Sequence, residues 1–103
     1  MGARGRFARF AKVRRRPDAN QAQIVKALRR FGASVLELDS VGGNCPDLLV
    51  GFRGVDRLLE VKTETGEASD GQQAFARDWR GAAVLIVRSE AEALQAIGIR
   101  LDI

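Results

Sequence analysis

Apolar residues recur at helical spacing between positions 18 and 32, where Ile24, Val25, Leu28 and Phe31 share one side of a 3.6-residue repeat. Asp18, directly after Pro17, is the expected N-cap, and Gly32 the expected stop. The period then changes. Residues 34–39, with Val35, Leu36 and Leu38, read as a strand, and Val41-Gly42-Gly43-Asn44-Cys45-Pro46 reads as a loop built from chain breakers. Residues 47–52 and 57–63 read as two more strands, and the four-residue turn between them (53–56) implies an antiparallel hairpin. The polar stretch 64–70 is a loop. Residues 71–79 are expected to form a helix with Phe75 and Trp79 four apart on one face, a spacing that favours core packing for Trp79 over stacking on a base. The apolar run 82–87 fits a strand buried on both faces. Ser89 and Glu92 complete a capping box for a last helix that reaches about Ile97 and stops at Gly98. Residues 99–103 leave room for a final short strand. The order αβββαβα predicts an α/β fold, a small mixed β-sheet flanked by helices.

At 103 residues the chain has room for one domain with a modest core. No apolar run approaches the roughly 20 residues of a membrane span, and no apolar h-region follows the basic N-terminus, so a cytoplasmic protein is expected. Cys45 is the single cysteine, which excludes an intramolecular disulfide and a cysteine zinc site; a half-buried filler beside a turn is its expected role. There is no histidine. Ser-His-Asp and Cys-His mechanisms and histidine base catalysis are therefore excluded, and any hydrolysis must run on carboxylates, lysine, metal ions or water.

The net charge of +4 is unevenly spread. Residues 1–17 carry Arg4, Arg6, Arg9, Lys12, Arg14, Arg15 and Arg16 and no acid, whereas the remaining ten basic residues face thirteen acids. A basic arm (1–17) on a mildly acidic body (18–103) suits a polyanion, and Lys12, Arg14, Arg15 and Arg16 are candidate nucleic-acid contacts. The bland alternative is a solvated tail.

The segment that carries chemistry is Pro46-Asp47, twelve residues, then Glu60-Val61-Lys62. Strand alternation places Glu60 and Lys62 on one face while Leu59 and Val61 point the other way, into a core. A hairpin brings Asp47, early in its strand, close to Glu60, late in the next. Two carboxylates beside an ammonium suit phosphodiester cleavage with Mg²⁺ or Mn²⁺, hard cations that take oxygen ligands and keep several waters. The main-chain carbonyl of Val61 is a candidate third oxygen. Lys62 could hold or deprotonate the attacking water, or stabilise charge on the phosphate. Alternating polar residues also occur on plain solvated strands, so the pattern gains weight from its place on a hairpin between helices, with an arginine arm attached.

Taken together, DANQAQIVKALRRFGASV, CPDLLVGFRG, LLEVKT, QQAFARDWRG and AAVLIVRSEAEAL span nearly everything from Asp18 to about Ile97. In that order they resemble the PD-(D/E)XK nuclease superfamily, and within it the virus-type replication-repair (VRR-NUC) nucleases, often phage-encoded. The resemblance implies a nuclease core fold, divalent metal and endonucleolytic cleavage of DNA, often branched, flap or junction DNA, in a bacterial host cell. It makes Asp47 and Glu60 metal ligands and Lys62 the catalytic lysine. It also draws in Gln21, where relatives often carry a glutamate on the first helix, and Gln72, as a hydrogen-bonding group near the site. No organic cofactor and no membrane partner are implied. Because one chain carries one site, cutting two strands would require two copies, which favours a homodimer. The alternative is a catalytically silent nucleic-acid-binding module of the same fold; it would lack a ligand or the lysine, and all three are present.

Overall fold

The computed structural model describes residues 15–101. Three helices and a four-stranded sheet follow in the order α1 (Arg15–Arg30), β1 (Ser34–Glu37), β2 (Leu48–Phe52), β3 (Val55–Val61), α2 (Asp70–Asp78), β4 (Leu85–Val87) and α3 (Glu90–Ala96). This is the α/β order expected. Lys12 and Arg14, with the rest of the arm before Arg15, lie outside the described residues.

Helix α1 opens three residues before the expected Asp18 cap, so Arg15 and Arg16 belong to the helix rather than to an arm. Pro17 does not prevent this. In a first turn its missing N–H would have no helical acceptor, and its ring presets a helical φ. The far end behaves as the sequence predicts. Gly32 sits at φ 97, a left-handed conformation that glycine adopts without a Cβ penalty. The Gly32 N–H donates to the Arg29 carbonyl and the Ala33 N–H to the Leu28 carbonyl, each at 3.0 Å, so the last carbonyls are satisfied. Phe31, expected on the buried face, falls beyond the last helical residue and is exposed.

The sheet order is β1-β2-β3-β4, antiparallel except for the parallel β3–β4 pair. The hairpin turn is tighter than expected. It comprises Arg53 and Gly54 alone, at φ 52 and 81, and β3 begins at Val55. Two left-handed residues are the signature of a type I′ turn, whose twist matches that of the strands it joins. The Arg53 guanidinium lies 4.7 Å from the centre of the Phe52 ring, a cation–π contact that helps hold a non-glycine residue there. The turn fixes the register, with Leu48 opposite Leu59 and Val50 opposite Arg57.

That register gives the sheet two unlike faces. Val35, Leu48, Val50, Leu59, Val61 and Val87 point to one side and close a core with Ile24, Val25 and Leu28 of α1 and Ala93, Leu94 and Ile97 at α3. The other side is only partly covered, because α2 contributes no buried residue. Two expectations fail for this reason. Strand β4 is not buried on both faces: Ile86 is 42% exposed, and the strand spans only the three residues that find a partner on β3. Trp79 is not a core residue. Helix α2 ends at Asp78, Trp79 leaves it in an extended conformation (φ −71, ψ 126), and the residue is 46% exposed. Strand β1 stops at Glu37, two residues early, although the Leu38 N–H still donates to the Asp47 carbonyl at 2.7 Å. Residues 99–101 are not a strand, and 102–103 lie outside the described residues. Among the described residues no helix is long and apolar enough to cross a membrane.

The unequal faces predict unequal mutational costs for two strand leucines. Leu48→Ala empties a fully buried position and is expected to cost about 2–5 kcal/mol in urea unfolding. Leu36, 60% exposed on the opposite face, should tolerate alanine within about 0.5 kcal/mol.

Candidate active site

The site forms where β2 begins and β3 ends. Asp47 immediately precedes β2. The loop that delivers it carries Gly42, Gly43 and Asn44 at φ 85, 66 and 63, three consecutive left-handed residues that turn the chain sharply. Asn44 then packs onto the start of α2: a side chain at Gly71 would come within 2.6 Å of the Asn44 amide. The loop before Asp47 and the helix carrying Gln72 are therefore fitted against each other. Cys45 is half-buried in this loop, as expected, and burial together with the nearby Asp47 and Glu60 carboxylates raises its thiol pKa, opposing nucleophilic use.

Asp47 Oδ2 accepts a hydrogen bond from the Val61 N–H at 2.8 Å, which ties the two strands together at the site. Continuing the β2–β3 register would place Pro46 opposite Val61, and proline has no N–H to offer the Val61 carbonyl. Glu60 projects from the face opposite the core and is nonetheless only 5% exposed. Its Oε2 accepts from Gln72 Nε2 at 3.0 Å and lies 3.6 Å from Lys62 Nζ. Gln72 is oriented by its own helix. Its Oε1 accepts from the Ser69 N–H at 2.9 Å as half of a capping box, so the donor end of the amide faces the carboxylate.

Continuing the β2–β3 register places Asp47 opposite Glu60 at this end of the hairpin. Burial, then the Asp47 charge and a hydrogen bond with Asp47, push the Glu60 carboxyl up to about 7, while Lys62 opposes the rise. Two such carboxylates cannot both ionise cheaply without a cation or a shared proton. Asp47 Oδ2 is engaged by the Val61 N–H, and Glu60 Oε2 by Gln72 and Lys62. No group of three or more His, Cys, Asp or Glu side chains converges among the described residues. Two carboxylates are fewer than a closed metal site supplies, and a hard divalent cation held by them would have to take its remaining oxygens from a carbonyl, water or substrate.

Lys62 is held by its main chain on both sides. Its N–H donates to the Val87 carbonyl at 3.0 Å, and its carbonyl accepts from Asn20 Nδ2 at 3.0 Å. Beyond it, one terminal nitrogen of Arg88 donates to the carbonyls of Thr63, Glu64 and Gly66, so one guanidinium holds the loop that leaves β3. Sequence reasoning missed Asn20 and Arg88. Both are ordinary polar residues in the chain, and only the parallel β3–β4 pairing and the packing of α1 bring them here. Gln21 behaves differently from its expected place beside the site. It is buried and donates to Glu37 Oε1 at 3.0 Å, and Glu37 pairs with Leu48 on the core face of the sheet, opposite Glu60. Asn20, its neighbour, is the α1 residue that reaches the Glu60–Lys62 segment. The structure thus brings Asp47, Glu60, Val61, Lys62 and Gln72 together and leaves Gln21 on a separate hydrogen bond.

The raised Glu60 carboxyl has a measurable consequence. It binds its proton more tightly folded than unfolded, so this stabilisation is complete below its ordinary value of 4.5 and is lost as pH rises through about 7. Without added metal, wild type should lose on the order of a few kcal/mol relative to Glu60→Gln between pH 4.5 and 8 in denaturant titrations. At pH 8, millimolar Mg²⁺ should raise the wild-type melting temperature and leave that of Glu60→Gln nearly unmoved. No protein-family model matches this chain, and no curated protein or solved structure matches it.

Proposed function

We propose that the protein is a divalent-metal-dependent endonuclease that hydrolyses DNA phosphodiester bonds, of the PD-(D/E)XK, VRR-NUC kind its motifs resemble. The observation that carries this reading is the meeting of the Asp47 and Glu60 carboxyls on the partly covered sheet face, with the Lys62 ammonium 3.6 Å from Glu60. Asp47, Glu60 and the Val61 carbonyl would hold Mg²⁺ or Mn²⁺. The bound cation supplies Lewis-acid activation of water and neutralises charge on the phosphate.

The chain's own groups have separable tasks. Gln72 holds Glu60 in place through a donor whose direction is set by the capping box. Lys62 places its ammonium where it can orient the attacking water or meet the negative charge that builds on the phosphate oxygens. Asn20 and Arg88 act as positioning residues. They fix the Lys62 carbonyl and the backbone that follows it, so the ammonium is presented from a held strand end. The arginine-rich N-terminal segment adds phosphate contacts without sequence readout, which favours recognition of DNA shape, such as a branch, flap or junction. With one such site per chain, cleavage of two strands calls for a homodimer.

Cleavage of labelled single-stranded, duplex, flap, splayed-arm and four-way-junction DNA, each with Mg²⁺, Mn²⁺ or EDTA, tests the proposal. Wild type should cut in either metal and not in EDTA. Lys62→Ala and Asp47→Asn should lower the rate by at least about 10²–10³-fold, the scale of losing one transition-state contact or ligand. Binding without cutting, equal in wild type and Lys62→Ala, would instead identify a silent nucleic-acid-binding module.

A further inference from the structure

We propose that Trp79 is a stacking platform for an unpaired base of the bound strand, a few nucleotides from the scissile phosphate. This rests on the nucleic-acid reading above. Trp79 stacks on Phe75 with ring centres 5.4 Å apart and planes 12° from parallel, yet remains 46% exposed. The indole is therefore held on one side and open to solvent. Gly81 contributes to the fit, because a side-chain carbon there would come within 2.8 Å of the indole nitrogen. A large aromatic ring fixed in place but left uncovered loses little freedom on binding, which is what a base-stacking residue requires.

Its location links it to the chemistry. Phe75 and Ala76 lie three and four residues after Gln72, and Trp79 lies four and three residues after them. Gln72 touches Glu60, and Gln72 and Ala76 share with Glu60, Val84 and Ile86 a cavity of about 100 Å³. The aromatic pair thus follows, along α2 and just past its end, the residues that line the site. Seven residues of helix cover about 10 Å, roughly three stacked base steps at 3.4 Å each. The charge next to the ring is net positive: Arg77 and Asp78 pair with each other at 3.3 Å, which leaves the exposed Arg80 to meet a phosphate. A strand whose phosphate reaches Asp47 and Glu60 can lay a base on Trp79 only if that base is unpaired. The ring therefore selects DNA with a single-stranded element near the cut.

Trp79 is the only tryptophan and the chain has no tyrosine, so intrinsic fluorescence reports on this ring alone. The full chain, in EDTA to prevent cleavage, is titrated with a labelled 12-mer oligothymidylate and with an abasic 12-mer of equal charge, following indole emission and label anisotropy together. The expected result is binding of both oligomers, with quenching by the base-bearing one only. Trp79→Ala should weaken the base-bearing oligomer on the order of tenfold and leave the abasic one unchanged. Trp79→Phe should recover part of the loss, and circular dichroism verifies the fold of each variant. If Trp79→Ala does not fold, the wild-type titrations and Trp79→Phe decide the matter. Equal binding with no quenching, or equal quenching by both oligomers, overturns the stacking role and leaves nucleic-acid binding intact. Failure of both oligomers to bind overturns the stacking role and the nucleic-acid reading together.

Discussion

Leu59 and Val61 are buried beneath α1 and α3, while Glu60 and Lys62, between and beyond them on the same strand, project the other way. Core and candidate site are thus two faces of one four-residue segment, 59–62. Packing of the two apolar side chains is what aims the two charged ones. Because strand side chains alternate with a period of two, a slip of one residue would carry Glu60 into the core and Leu59 out of it. The Arg53–Gly54 turn and the Leu48–Leu59 pair resist that slip. The Val61 N–H bond to Asp47 then locks the other end of the hairpin at the position where the carboxylates meet.

That meeting opposes stability. A carboxyl with 5% exposure beside a second carboxyl is a poor choice for a protein that only needs to stay folded. Gln72 and Lys62 offset part of the cost, and a shared proton relieves more of it below neutral pH. A divalent cation would remove the conflict altogether. The supports around the pair share this logic. They hold main chain, through Asn20 and Arg88, or orient a single donor, through Gln72, and none of them supplies a full counter-charge against Glu60 as a bidentate arginine would.

The remainder of that sheet face has a different character. Helix α2 fully buries none of its residues, and Trp79, just past its end, is exposed and stacked on the half-buried Phe75. A helix with this little burial depends on its ends for support: the Ser69–Gln72 capping box, and the fit of Gly71 under Asn44. Both lie at its first turn, nearest the carboxylates. The helix is therefore anchored by the same contacts that surround the candidate site.

The sequence by itself determined the element types and their order, the inward and outward residues of β3, and the convergence of Asp47, Glu60 and Lys62. These follow from local rules, the periods of 3.6 and 2 and the short hairpin, which operate within about fifteen residues of chain. It also marked the Ser89 cap and the Gly32 stop, since caps are local too, and the family resemblance pointed to Gln72. Only the tertiary structure decided the rest. It extended α1 back through Pro17, because the first turn of a helix does not need that N–H. It drew β3 back to Val55, because pairing with β2 outweighs the polar character of Asp56. It sent Gln21 to Glu37 and brought Asn20 to the Lys62 carbonyl, a choice between adjacent helix positions about 100° apart. It left Trp79 exposed, because spacing shows which residues share a helix face but not whether anything packs against that face.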